Sequence, residues 1–222
     1  VTADLDTRTV TDAVADALSG QILSGRWAPG TLVSEVGVKR EFGVSRPTAR
    51  AAIERMVAVG LLKRDAYRSA HVPIVDAQLV EDVYLAREAI EAVAASRAAR
   101  DGATIVAAIA AAEAIGRLGD DCSVSDVVAL DVAFHRAVVD AANSTRLSRM
   151  HVGLMGEMQL CMADVRVEEL MSVQEIAEEH LEIADAIQRR DQSRAAQATT
   201  QHLWHARDAL LSRARYQGSP RD

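Results

Sequence analysis

Aromatic residues are scarce in this chain, at 3% of its 222 positions. A β-sandwich, which leans on aromatic and β-branched side chains, fits such a composition poorly. Cysteine is nearly absent, with Cys122 and Cys161 the two present. Neither sits in a Cys-x-x-Cys motif, so no disulfide framework is expected, and a reducing cytoplasm is the expected compartment. No apolar run approaches the ~20 residues of a membrane span, and the longest, Ala103–Ala112, reaches about half of that. The chain does not open on the basic region and apolar core of a secretion signal. It also lacks the His-Glu-x-x-His string of many zinc hydrolases. What it has is alanine, and 49% hydrophobic residues. That balance points to packed helices with small residues at their contacts.

The net charge of −7 is unevenly spread. Residues 1–75 hold ten Lys/Arg and eight Asp/Glu, a net of +2, which leaves −9 for the rest. Thr31–Val75 alone carries eight basic and four acidic residues. A basic end on an acidic body suits contact with a polyanion, although a solvated basic face would look the same.

Apolar spacing predicts a helix from Thr9 to Gly25 with Val10, Val14, Leu18 and Ile22 on one face. Val1–Thr7 before it reads as a loose leader. Ala28-Pro-Gly30 is a turn, and Ser34 caps a short second helix ending at Phe42. Gly43-Val44 makes a tight connection. Ser45 then caps a third helix, with Pro47 tolerated in its first turn. Leu61–Arg64 and Ala70–Val72 read as a two-stranded hairpin around Asp65–Ser69. Pro73 stiffens a linker. After Asp76 only helical patterns appear, in about six helices. Their buried faces include Leu79, Val83, Ala86, Ile90, Val93 and Arg97 on the first. Further helices cover 103–118, 125–142, 145–170, 173–190 and 192–215, ahead of a frayed tail at 218–222. The expected architecture is mostly α. A helix-turn-helix unit with a wing spans residues 1–73, and an all-α bundle spans 76–217.

Helix, tight turn and helix followed by a hairpin is the winged helix-turn-helix arrangement, whose second helix presents its first residues to the major groove. Those residues are Ser45, Arg46, Thr48 and Arg50. Arg46 and Arg50 lie one turn apart, away from the Ala49/Ile53/Met56 core face, and a guanidinium can pair bidentately with guanine. Ser45 and Thr48 suit phosphate oxygens. Lys39, Arg40, Lys63, Arg64, Tyr67 and Arg68 are placed to follow the DNA backbone. QILSGRWAPGT (Gln21–Thr31), EFGVSRPTAR (Glu41–Arg50) and AIERMVAVGLL (Ala52–Leu62) together resemble the winged helix of the GntR superfamily of bacterial transcription regulators. The resemblance puts the family's DNA-contacting positions on Ser45, Arg46, Thr48 and Arg50. Val36 stands where some relatives carry a DNA-contacting arginine.

The bundle carries polar residues on apolar stripes. Asp131 and His135 share the Val128/Val132/Val139/Ala142 face of one helix, four residues apart, so both point inward. His180 lies on the Ile176/Ile183/Ala184/Ile187 face of another, and His202 on the Ala195/Thr199/Ala206/Ala209 face of the last. Each histidine alone suits a satisfied core position. A buried carboxylate without a partner is costly, and a shared divalent cation would resolve the whole set. Asp/His₃ suits zinc first, with nickel, manganese or iron as alternatives, and leaves open positions. His205 and His151 read as non-ligands. LDVAFH (Leu130–His135), EEHLEI (Glu178–Ile183) and His202 are similar to the FCD ligand-binding domain of FadR-type GntR regulators. Many of those bind a metal through one aspartate and three histidines, which would here be Asp131, His135, His180 and His202.

YLAREAIE (Tyr84–Glu91) resembles the first FCD helix, whose arginine can meet an effector carboxylate. Arg87 turns inward, either for that purpose or for a salt bridge with Asp131 or Glu91. Asn143 can add a hydrogen bond to a bound acid. The reading that unites these features is a homodimeric regulator, taken as a repressor. It binds a palindromic operator in double-stranded DNA and is controlled by a small organic acid at the metal site. Two alternatives stand beside it: a metal-dependent enzyme acting on a small carboxylate, and a regulator whose metal is purely structural.

Overall fold

The computed structural model describes residues 9–65, 68–119, 122–163 and 172–217, with side chains through 212. The leader 1–7, the wing residues Ala66 and Tyr67, and the tail 218–222 lie outside the described residues. The chain divides into two compact units, Val1–Ile74 and Val75–Asp222.

In the first unit, α1 (Val10–Leu23) begins at Thr9, which shares a capping box with Asp12. Its Val14, Ala15, Leu18 and Ile22 are buried. Helix α2 (Glu35–Phe42) is capped by Ser34. Helix α3 (Arg46–Ala58) is capped by Ser45, whose side chain accepts from the Thr48 N–H. Gly43 between them sits at φ 66. That left-handed conformation ends α2 and swings the chain directly into α3. Ala49, Ala52, Ile53 and Met56 bury the inner face of α3, as the spacing predicts.

The wing differs from the expected hairpin. Strand β1 (Leu32–Val33) pairs antiparallel with β2 (Ala70–His71), and Lys63 adds a bridge to His71. No strand was expected at Leu32–Val33. The Gly30 turn explains it. The Gly30 N–H donates to the Val72 carbonyl at 2.8 Å and the Val72 N–H to the Thr31 carbonyl at 3.0 Å, which draws the two segments together. Leu61 and Leu62 do not extend a strand. Both N–H groups donate to the Met56 carbonyl and close the end of α3, while both side chains are buried.

The second unit holds α4 (Ala77–Asp101), α5 (Val106–Gly116), α6 (Val124–Ala141), α7 (Thr145–Met162), α8 (Val173–Gln188) and α9 (Gln192–Gln217). The expected extension of α7 to Leu170 falls largely on 164–171, outside the described residues. Alanines of α4, α5, α8 and α9 form one core around Phe134 and Val138 of α6. Their small side chains let the helices approach closely. A second core gathers Val80, Val83 and Tyr84 with Met155, Met158 and Leu203.

Two predicted stripes need correction. On α4, Val93 is exposed and Arg97 pairs with Asp101 at the surface. Val83 and Ile90 are buried as expected, and the inner face runs on through Tyr84, Arg87, Glu91, Ala94, Ala95 and Ala98. Hydrophobic spacing missed its second half, where a charged pair is followed by alanines. On α6, Val127, Phe134 and Val138 are buried beside Asp131 and His135, widening the stripe.

At Gly43 an added Cβ would meet no heavy atom within 4 Å, so a substitution there tests the left-handed turn alone. Gly43→Ala is expected to destabilise the first unit by about 1–2 kcal/mol. Urea unfolding of the full chain, followed at Trp27 in a Trp204→Phe background, reads this directly.

Candidate functional site

The start of α3 and the wing form one face. The Arg46 and Arg50 side chains are 72% and 71% exposed, enough to reach another molecule. Lys39, Arg40 and Arg68 are also exposed. Ser45 Oγ and Thr48 Oγ1 lie 2.8 Å apart at the helix start. A groove of about 430 Å³ runs between α3 and the wing, lined by Glu35, Arg46, Arg50, Arg64 and Arg68. Glu35, which the sequence reading passed over, faces both arginines: Arg46 Nε donates to it at 2.6 Å and Arg50 Nε lies 3.2 Å away. The Arg46 hydrogen bond holds the Glu35 carboxyl below its usual range. The two guanidiniums are thereby aligned side by side.

In the helical unit, Asp131 and His135 of α6, His180 of α8 and His202 of α9 converge. One donor atom from each lies within 4.8 Å of all the others, and all four residues are buried. His202 Nε2 is 3.1 Å from His135 Nε2 and 3.2 Å from His180 Nε2. Asp131 Oδ1 is 3.5 Å from His135 Nε2 and 3.4 Å from His180 Nε2. Donors held ~2.0–2.1 Å from one tetrahedral ion stand ~3.3 Å apart, so these separations fit a shared cation.

The surroundings orient the rings. Glu179 Oε2 accepts from His202 Nδ1 at 2.8 Å, and Glu91 Oε2 lies 2.6 Å from His135 Nδ1. With the protons held on Nδ1, both Nε2 lone pairs face the centre, an arrangement that repels unless a cation sits between them. Phe134 stacks on the His180 ring at 3.8 Å between centroids. His180 Nδ1 has no hydrogen-bond partner. Glu179 stands next to His180 in the chain. The structure aims it at the neighbouring helix, where it meets His202 and the exposed His205. His151, read as a non-ligand, is buried with Nε2 3.1 Å from Glu91 Oε1.

Electrostatics follow from this packing. Burial pushes the Asp131 carboxyl up, but His135 and His180 outweigh it and hold the group well below its usual range. Burial pushes His135 down, yet Glu91 and Asp131 raise it to about 9. Burial and the nearby His202 take His180 down to about 3. His202 is also lowered, chiefly by burial.

Beside the cluster lies a cavity of about 30 Å³, lined by Arg87, Asp131 and His202 together with Met162, Ile176 and Leu210. Arg87 is buried, donates through Nε to Glu91 Oε1 at 2.8 Å, and leaves Nη2 without a partner. The salt-bridge reading of Arg87 is met by Glu91. Asn143 is not brought to the cavity. It sits exposed just past the end of α6 at φ 50, in a left-handed turn that asparagine tolerates.

Residues 10–72 match the model of "Bacterial regulatory proteins, gntR family", and residues 82–205, more than half of the chain, match that of the FCD domain. The chain belongs to the gntR family, in its FCD-bearing branch. It is a DNA-binding transcription regulator, not an enzyme, and the metalloenzyme alternative is set aside. A Paenarthrobacter nicotinovorans protein described as a "Probable D-xylose utilization operon transcriptional repressor" is 28% identical over 197 residues, 88% of this chain and 86% of that protein. The YdhC regulator of Bacillus subtilis is 23% identical over 197 residues, 85% of each chain. Escherichia coli McbR/YncC shares the fold at a TM-score of 0.73 and 18% identity, over 93% of this chain and 99% of that one. A GntR regulator from Rhodococcus sp. RHA1 does so at 0.69 and 22%, over 91% and 97%.

Because His135 is raised in the fold above the ~6.5 of a free imidazole, its contribution to stability is complete below that pH and is lost as pH rises through about 9. Chelator-treated protein is expected to melt at a lower temperature at pH 9.5 than at pH 7.5. A His135→Asn variant should show a smaller drop.

Proposed function

We propose that this regulator is a homodimeric repressor whose hold on a palindromic operator is released by a small organic acid. The acid is held between Arg87 and a divalent cation at Asp131, His135, His180 and His202. The observation that carries this reading is a set of four buried donors, two of which, Asp131 and His202, line one cavity with Arg87, whose Nη2 has no partner. Zinc is the first choice for one carboxylate and three imidazoles, with nickel, manganese or iron able to replace it. A bound cation supplies a Lewis-acidic point for one carboxylate oxygen. Arg87 supplies the charge-assisted hydrogen bond to the other. The repressor described in Paenarthrobacter nicotinovorans supports the direction of control.

At about 30 Å³ the cavity has room for water but not for an organic acid. An effector therefore selects a wider arrangement of Met162, Ile176 and Leu210. That difference between states is what biases DNA affinity, by an amount equal to the coupling free energy. On the DNA side, Arg46 and Arg50 read base edges. Ser45, Thr48, Lys39, Arg40 and Arg68 contact the phosphate backbone.

Arg50→Ala is expected to lower affinity for an operator selected from random double-stranded DNA by about 1–3 kcal/mol while sparing non-specific binding. Gel-shift titrations against competitor DNA measure both, and an unchanged specificity ratio counts against the assigned helix face. A thermal-shift screen of organic acids with and without zinc tests the other half. One acid should stabilise the zinc-loaded protein alone, and the His135→Ala/His180→Ala variant should hold no metal and show no shift. Stabilisation by zinc with no response to any acid would mark the cation as purely structural.

A further inference from the structure

Glu91 is unexplained by packing. It is 1% exposed on an α4 face otherwise built largely from alanine, valine and isoleucine, where an apolar residue would fill the same space without desolvating a charge. Its two oxygens divide their partners. Oε1 accepts from Arg87 Nε at 2.8 Å and from His151 Nε2 at 3.1 Å. Oε2 lies 2.6 Å from His135 Nδ1 in a bent contact and has no other partner. His151, from α7, is buried and adds a third partner that fixes the carboxylate.

We propose that Glu91 is a positioning residue for the metal ligand His135, clamped in place by Arg87 and His151. The inference rests on the metal reading above. With Arg87 and His151 on one oxygen, the other is left facing His135. It keeps the imidazole proton on Nδ1 and turns the Nε2 lone pair to the centre. His151 then acts on the cation at second hand, through Glu91 alone.

Zinc affinity, measured on the full chain by competition with a chromophoric chelator, tests the assignment. Glu91→Gln is expected to weaken zinc binding by about 10–100-fold. In a His135→Ala background the same change should cost less than about twofold, because the residue through which Glu91 acts is gone. Equal affinity of Glu91→Gln and wild type, or an equal loss in both backgrounds, would overturn the assignment and leave the metal centre standing. A wild-type chain with no zinc affinity would instead refute the metal centre and the assignment with it. Should Glu91→Gln not fold, His151→Gln carries the test. It removes a partner of Glu91 and touches none of the four donors. Zinc affinity unchanged by His151→Gln refutes the clamp, and a loss that vanishes in the His135→Ala background supports it.

Discussion

Two carboxylates, Asp131 and Glu91, are buried inside a bundle whose inner faces are otherwise largely aliphatic. Each would be prohibitively costly alone. Their burial is tolerated because Arg87, His135, His151 and His180 are buried with them at hydrogen-bond or ion-pair distance. This constraint decides what the helices can carry. Phe134 is held flat against His180, Glu179 against His202, and α4, α6, α7, α8 and α9 each contribute at least one member. The polar centre also holds an unpartnered nitrogen on Arg87, beside a small cavity that Arg87 lines with Asp131 and His202.

At the other end of the chain the constraint is local. A left-handed glycine, a serine cap and a proline in the first turn fix where α3 begins, and so where Arg46 and Arg50 emerge. Glu35 lies against both guanidiniums and keeps them aligned in the free protein. Any ligand for these guanidiniums competes with this carboxylate for the same donors, so its affinity is a difference between two sets of charged contacts.

Arg87 and His135 meet at Glu91, one through each oxygen. In the proposed metal centre, a change at Arg87 would reach the candidate ligand His135 through a single side chain.

Much was legible in the residues themselves. Caps, glycine turns and apolar periodicity located the helices to within a few residues, because these signals act between near neighbours in the chain. The Asp131/His135 pair was visible because four residues separate adjacent turns of a helix, and His180 and His202 each stood out on an apolar stripe. Other features were decided only by the tertiary structure. The pairing of Leu32–Val33 with Ala70–His71 depends on a turn that returns the chain across nearly forty residues of sequence. The buried face of α4 follows an ion pair and alanines that no hydrophobic count favours. Glu179 serves His202 rather than its neighbour His180, and His151 reaches Glu91 from another helix, because side-chain partners are set by packing in space. Local chemistry wrote the elements and the donor set, and only three-dimensional packing could say which charges face one another.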